Sequence, residues 1–330
     1  MEGKTKEKLL YILERLKKTD EQHPVNTNEL IDYLGKRGVS AERKSVARDI
    51  AALREAGYSV ILCDELKKGY YMTDQLFEDY ELKIIADAVS GAKSITYDDS
   101  KALIEKLCEL SSPTGEEIIR EQTFIDEKIK SGNKKVRYTI DKVMTAIKNK
   151  KRITFQYYEF ASDGKRKLKR DGHIYEISPY YVCWADDSYF LIGNSKSHDH
   201  LTHFHIDMMT NVEITRMPIR RREEIEELRG SFSIGEYLRR SVNMYGGESI
   251  DLVLECSGKV AKDLRKEFGE NIITVPLGDE KFRTELKADE GEGLIRWLMQ
   301  FSPEDIKVIA PQSIKSAMKE RAKSLIKIYE

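Results

Sequence analysis

Apolar positions in the first 75 residues keep a helical rhythm, then switch to a strand rhythm. In "KEKLLYILERLKK", Leu9, Leu10, Ile12, Leu13 and Leu16 predict a helix with one broad buried face. "NTNELIDYLGKRG" predicts a short second helix, capped by Asn26 or Thr27, with Leu30, Ile31 and Leu34 inward. Ser40 is expected to cap a third helix over "AERKSVARDIAALREAG", which Gly57 closes. "YSVILCDELKKGYYMT" then alternates as two short strands around a charged turn. Helix, helix, turn, helix, hairpin is the order of a winged helix-turn-helix.

The third helix can be laid out at about 100° per residue. Val46, Ile50 and Leu53 fall on the core side, and Lys44, Arg48, Ala41, Ala51 and Ala52 lie roughly opposite. Long cations above small residues suit a groove-reading helix, because the backbone can approach while the cations reach phosphates and base edges. Ser45 joins this candidate DNA-binding set. Arg43 falls nearer the core edge, as a phosphate or packing contact. Lys67 and Lys68, at the hairpin tip, suit phosphates or an adjacent groove. Residues 1–75 carry 14 Lys and Arg against 13 Asp and Glu, so the order of elements, rather than charge, points to DNA.

Residues 76–136 read as an acidic helical linker, with "FEDYELKIIADAVSGA" and "DDSKALIEKLCEL" in helical spacing and "SSPTGEE" breaking them. From residue 137 a helix leads into strands: "ITFQYYEF", then "HIYEISPYYVCWADDSYFLIGN" as two strands turning at residues 185–188, then "LTHFHIDMMTNVEIT". "DGKRKLKRDG" reads as a basic turn. Five short strands with tight turns predict a small closed barrel over residues 137–222. That segment holds 16 Lys and Arg against 10 Asp and Glu, which makes it the basic part of a chain whose net charge is −1. Residues 223–330 follow strand–helix–strand–strand–helix–strand and a last helix, the split β-α-β order of a ferredoxin-like domain.

The chain of 330 residues is thus expected to be multidomain α+β. It has no N-terminal apolar region and no apolar run near 18 residues, so neither a signal peptide nor a membrane span is expected. Cys63, Cys108, Cys183 and Cys256 are scattered, which fits a reducing cytoplasm. No phosphate-binding glycine loop, nucleophile elbow or zinc motif stands out, so the expectation is a protein that is no enzyme and needs no cofactor. Four of the six histidines, His198, His200, His203 and His205, sit within eight residues. Strand spacing puts His203 and His205 on one face. A metal site is the weaker reading, since no cysteine or fixed acidic ligand joins them.

"ITFQYYEF", "SPYYVCWADDSYFLIGN" and "LTHFHIDMM" together resemble the WYL domain, a Sm-like barrel of bacterial regulators. "DSYFL" stands where that family has its Trp-Tyr-Leu signature, keeping Tyr189 and Leu191. "FHIDMM" stands where it has Phe-Arg-Val-Asp-Arg, with His205 and Met208 at the two arginine positions and Phe204 and Asp207 kept. "RKSVARDIAALREAGY" is similar to a run common in the family's winged helix-turn-helix readers. The resemblance implies a reader (1–75), a helical linker (76–136), a ligand-sensing WYL barrel (137–222) and a C-terminal WCX-type extension (223–330) that supports homodimer contacts. It implies a transcription regulator of a double-stranded DNA operator with a nucleotide or single-stranded nucleic-acid effector. By position, the effector pocket would include Tyr157, Tyr189, His203 and His205. The alternative is an RNA- or ssDNA-binding accessory protein that acts through the basic barrel, for example by modulating a nucleic-acid defence effector.

Overall fold

Ile12 and Leu16 of α1 (Glu2–Leu16), Leu30 and Leu34 of α2 (Thr27–Lys36), and Val46, Ile50 and Leu53 of α3 (Arg43–Glu55) share one buried cluster. The computed structural model describes residues 2–63 and 67–330. It divides into two units, residues 1–134 and 135–330.

In the first unit, Asn26 caps α2. Its side chain accepts from the N–H groups of Asn28 and Glu29, and the Glu29 carboxylate returns a bond to the Asn26 N–H. The hairpin of β1 (Val60–Cys63) and β2 (Gly69–Met72) closes the cluster with Val60 and Met72. Residues 64–66, part of the expected charged turn, lie outside the described residues. The third helix starts later than its sequence suggests. Its N-cap is Glu42, so Ser40 caps nothing and Ala41 precedes the helix. The cause lies upstream: Gly38 turns the chain at φ 75°, and the Val39 N–H bonds to the Leu34 carbonyl while its side chain enters the core. Residues 40–42 must then bridge from that anchor to α3.

"SSPTGEE" is not only a break but the start of a third helix in this stretch. α4 (Asp79–Gly91), α5 (Tyr97–Leu110) and α6 (Pro113–Gln122) bury Leu82, Ala86, Ile104, Cys108 and Ile119 together. Ser112 caps α6 and Pro113 occupies a first-turn position, where its missing N–H costs nothing. Two carboxylates meet this helix start. Asp79 accepts from the hydroxyls of Ser111 and Ser112, and Asp20 accepts from the Thr114 N–H at 2.9 Å. A Cβ at Gly115 would fall 2.1 Å from the Asp79 carboxylate, so a larger residue there would have to displace it from Ser111 and Ser112.

In the second unit, α7 (Val136–Lys148) precedes β3 (Lys151–Phe160), β4 (Arg166–Leu168), β5 (Ile174–Ala185), β6 (Ser188–Ser195), β7 (Thr202–His205) and β8 (Met209–Pro218). The order is β4-β3-β5-β6-β7, and β8 also pairs with β3. β4 is an added strand inside what the sequence suggested was only a basic turn. Asp186 and Asp187, at φ 46° and 57°, make the two-residue turn between β5 and β6. After α8 (Ile234–Arg240), the chain runs through β9 (Ser249–Ser257), α9 (Ala261–Phe268), β10 (Thr274–Gly278), β11 (Lys281–Asp289), α10 (Glu292–Leu298), β12 (Ile306–Ala310) and α11 (Gln312–Tyr329). These strands form a sheet of order β10-β11-β9-β12, and Leu252, Leu254, Leu264, Leu294 and Trp297 share its core. The described residues thus give a mixed α/β chain with eleven α-helices and three antiparallel sheets. No described helix is long and apolar enough to cross a membrane.

Candidate functional site

Fewer side chains stand open on α3 than the candidate DNA-binding set names. Arg43 donates from Nε and Nη2 to Asn28 Oδ1, at 3.1 and 2.9 Å, and so ties α3 to α2. The Ser45 hydroxyl accepts from Lys8, which is 8% exposed and also pairs with Asp49 at 2.8 Å. Ser45 therefore turns toward α1, and Ala41 packs against the buried cluster of α1, α2 and α3. Lys67 pairs with Glu29 Oε1 at 2.7 Å, inside the capping box of α2, and Lys67 holds the Glu29 carboxyl below its ordinary range. Lys44 and Arg48 remain exposed, one turn apart, with the exposed Ala47, Ala51 and Ala52 between and beside them. Arg48 Nε lies 3.4 Å from the Lys44 carbonyl, a weak local contact that leaves the guanidinium's other donors available. Lys68 is exposed beside Lys67.

The four residues expected to share one pocket fall on two faces of the β5-β6-β7 sheet. Tyr189 sides with Leu191 and Phe204, in the core that α7 covers together with Phe155, Ile177 and Val143. Tyr157 packs against the same core. His203 and His205 face the other way. Their strand neighbours there, Ile192 and Phe190, belong to a second core built with Ile225, Leu228, Tyr237 and Met244. The strand period decides this: Phe204, between the two histidines, is on the α7 side, so both histidines must be opposite.

His203 is a structural residue. Its Nδ1 donates to the Met244 carbonyl at 2.7 Å, and its Nε2 lies 2.8 Å from the Tyr237 hydroxyl. A carbonyl only accepts, so Nδ1 carries the proton. Burial pushes the Tyr237 phenol well above its ordinary range, so that hydroxyl keeps its proton and donates to Nε2. Burial likewise holds His203 below the ordinary histidine value. With both nitrogens engaged, this ring joins β7 to α8 and the segment after it. His205 is exposed, its ring 4.1 Å from that of Phe190. Burial lowers its pKa, although the Asp207 and Asp186 carboxylates act to raise it. A ring whose proton is disfavoured by burial, with the Asp207 carboxylate 4.0 Å away, is a weaker anion receptor than the arginine that the resemblance puts there.

The histidine turn itself is a tied loop. Asn194 Nδ2 donates to the carbonyls of His198 and His200, at 2.9 and 2.7 Å. Arg220 Nη1 donates to Asn194 Oδ1 and the His198 carbonyl, and its Nη2 reaches Asp199 at 2.8 Å. His198 Nδ1 donates to the His200 carbonyl at 3.1 Å, and His200 lies 3.6 Å from both Glu226 and Glu227. Among the described residues no group of three or more His, Cys, Asp or Glu side chains is placed to hold a metal ion.

Tyr157 sits in a different setting, one the sequence reading did not assemble. Its ring lies 5.9 Å from Phe204, 6.3 Å from Tyr175 and 6.5 Å from Phe155. Phe155 and Tyr175 stack at 5.5 Å, and His173 meets the Tyr175 ring edge-on at 4.9 Å. The Tyr157 hydroxyl accepts from the His205 backbone N–H at 3.2 Å, and burial pushes its pKa up, so it stays a phenol. The β4 hairpin brings one cation to this aromatic row and a second to Tyr158, the neighbouring position on β3, which pairs with Phe160 instead. Lys169 Nζ lies 6.0 Å from the Tyr157 ring centre, and the Arg166 guanidinium lies 4.6 Å from that of Tyr158. The turn after β4 has Arg170, Asp171 and Gly172 at positive φ, and Gln156 pins it by donating to the Gly172 carbonyl at 2.8 Å. The signal for this site was present as "KRKLKR" following the aromatic strand, but a turn alone does not say which strand face it covers.

Residues 138–214 match the family model of the WYL domain, and residues 248–326 match that of the WCX domain. No curated protein matches the sequence significantly. Among solved structures, the proteasome accessory factor B/C (PafBC) of Arthrobacter aurescens is 16% identical, at a TM-score of 0.26. That match covers 96% of this chain and 46% of the other, so this chain spans under half the length of PafBC. A CRISPR Cas-related protein is 12% identical over 78% of this chain and 75% of its own, at a TM-score of 0.37.

Proposed function

We propose that this chain, a WYL-domain protein with a WCX domain behind it, is a DNA-binding transcription regulator whose barrel senses a nucleotide or single-stranded nucleic acid. Residues 1–75 are read as the winged helix-turn-helix, 76–136 as the spacer, 137–222 as the Sm-like barrel and 223–330 as the extension. The observation that carries the DNA reading is the outer face of α3. Arg43 and Lys67 are committed to contacts inside the first unit, while Lys44 and Arg48 stand free of ion pairs above three alanines. That is the chemistry a major-groove helix needs: small residues for approach, and a guanidinium for a guanine edge or phosphate. The two heads of a homodimer would read half-sites whole helical turns apart.

The effector reading moves from the histidines to Tyr157 and Tyr175 with Lys169 beside them. Flat rings with cations over them stack bases and hold phosphates without sequence preference. The same row favours the second reading, an RNA- or ssDNA-binding accessory protein with no operator of its own. Footprinting on the DNA upstream of the chain's own coding sequence separates the two. A regulator protects a discrete two-fold site that Arg48→Ala loses. An accessory protein protects none, yet binds single strands in a way that Lys169→Ala weakens.

A further inference from the structure

Arg239 and Arg240 close α8, and both line one cleft of about 540 Å3. Phe268, at the end of α9, and Leu286 and Lys287 of β11 complete its wall. A cleft of this size holds a small organic molecule. Glu236 also lines it, three and four residues before the arginines, the spacing of a helical ion pair. Yet Glu236 pairs with neither among the described residues. Arg240 pairs with Asp289 instead, and Arg239 makes no ion pair there.

Each arginine is placed by its surroundings. Arg240 Nε is buried and lies 2.9 Å from Asp289 Oδ1, an ion pair off the line of a hydrogen bond. The Asp289 side chain is 1% exposed and also accepts from the Ser241 hydroxyl. The Arg240 guanidinium rests 5.0 Å from the Tyr237 ring centre. The Arg240 side chain as a whole is 26% exposed, so the part beyond its buried Nε is what meets the cleft. A cation fixed between a ring and a buried carboxylate has given up its rotamer freedom before a ligand arrives. Arg239 runs across the end of α9. A Cβ at Gly269, which has φ 98°, would sit 3.3 Å from Arg239 Cδ, so glycine there leaves the stem its path. The guanidinium N–H donors of Arg239 have no acceptor among the described residues. Lys287 is already paired with Asp251 at 2.6 Å. The uncommitted cation of the cleft is therefore Arg239, opposed only by the exposed Glu236.

We infer that this cleft binds a small organic oxyanion, a phosphate ester or carboxylate that carries one aromatic or apolar group. Arg239 and the Nη groups of Arg240 take the oxygens, since a guanidinium fork matches two oxygens of either head group. The apolar group lies against Phe268 and Leu286 and leaves water there. The site shares no residue with the Tyr157 row or with the outer face of α3, so it stands apart from both readings above.

The test is isothermal titration calorimetry on the full chain at pH 7.5, with phenyl phosphate, phenylacetate, inorganic phosphate and phenol. Phenyl phosphate or phenylacetate is expected to bind about tenfold or more tighter than inorganic phosphate and than phenol, because only they fill both halves of the cleft. Whichever of the two binds tighter names the head group. Arg239→Ala should raise that dissociation constant about tenfold or more. Arg239 is exposed, so the variant should keep the circular dichroism and urea midpoint of the wild type. Arg221→Ala, at an exposed arginine outside the cleft, and Tyr157→Ala should both leave the affinity unchanged. A wild type that binds the aromatic anions no tighter than inorganic phosphate overturns the site, and so does an Arg239→Ala chain that binds them as the wild type does. Binding lost in Tyr157→Ala but kept in Arg239→Ala overturns it too, and puts the ligand on the aromatic row instead.

Discussion

Replacing His203 by alanine tests whether this ring is a ligand contact or a strut. The substitution removes two hydrogen bonds and leaves the Met244 carbonyl and the Tyr237 hydroxyl without their partner. Tyr237 is buried, so water does not readily replace the lost bond. Each buried group left unsatisfied costs about 1–3 kcal/mol. Two such groups, beside a ring that is itself only partly buried, give an expected loss of about 2–4 kcal/mol. Urea unfolding followed by tyrosine and tryptophan fluorescence measures it, as a lower midpoint at unchanged slope.

The pH dependence has a definite sign. His203 binds its proton less readily in the folded state than in the unfolded chain, whose value is near 6.5. Unfolding therefore takes up a proton at acid pH, and stability rises with pH through this window. The contribution is present above about pH 6.5 and is lost as pH falls through the depressed folded value. The gap between wild type and His203→Ala should accordingly shrink from pH 7.5 to pH 5.5. A variant with an unchanged urea midpoint but no effector response would refute the strut and restore the pocket assignment.

Arg48→Ala should weaken specific operator binding by about 1–3 kcal/mol in a fluorescence-anisotropy titration. Lys67→Ala, already paired with Glu29 at an exposed site, should cost less than about 1 kcal/mol in the same assay. If residues 137–222 bind an oligonucleotide as proposed, Tyr157→Ala and Lys169→Ala should each weaken that binding, by about 1–3 kcal/mol for the stacking ring. His205→Arg should leave that affinity within about twofold in the same titration, since Asp186 and Asp207 would neutralise a cation placed there. Asp20→Ala should destabilise the first unit by about 1–3 kcal/mol, because the Thr114 and His23 N–H groups lose their acceptor. Burial raises the Asp20 pKa, but those donors outweigh it and the net shift is downward. Its contribution is therefore present above about pH 4 and fades below, which urea midpoints at pH 7 and pH 3.5 will read.

Local order was legible where a single period decides it. The Leu9–Leu16 stripe, the Asn26–Glu29 capping box and the Asp186–Asp187 turn each carry their own geometry within a few residues. What was not legible depends on distant groups. Ser40 is a good capping residue by type, yet it caps nothing, because Val39 anchors in a core made by α1, α2 and α3. "SSPTGEE" hides a helix because its cap stands between two carboxylates, Asp20 and Asp79, that only the fold brings there.

The same distinction explains the histidines. Their shared face follows from strand period alone, and the structure places them that way. Which face it is, and whether water or protein covers it, depends on where residues 219–245 run. That segment lays Ile225, Leu228, Tyr237 and Met244 over the face, and so turns His203 into a strut. Tyr157 lies on the other side, under a hairpin whose cations come from a stretch that reads as a plain turn. A positional likeness therefore carries over a backbone site but not its electrostatics. With histidine and methionine where the resemblance puts two arginines, the fixed positive charge near this sheet's aromatic row comes from Lys169, just after β4. An effector held there would meet stacking first and charge second. Its affinity should fall with salt as single-strand binding does, and hardly at all with a rise in pH from 6 to 8.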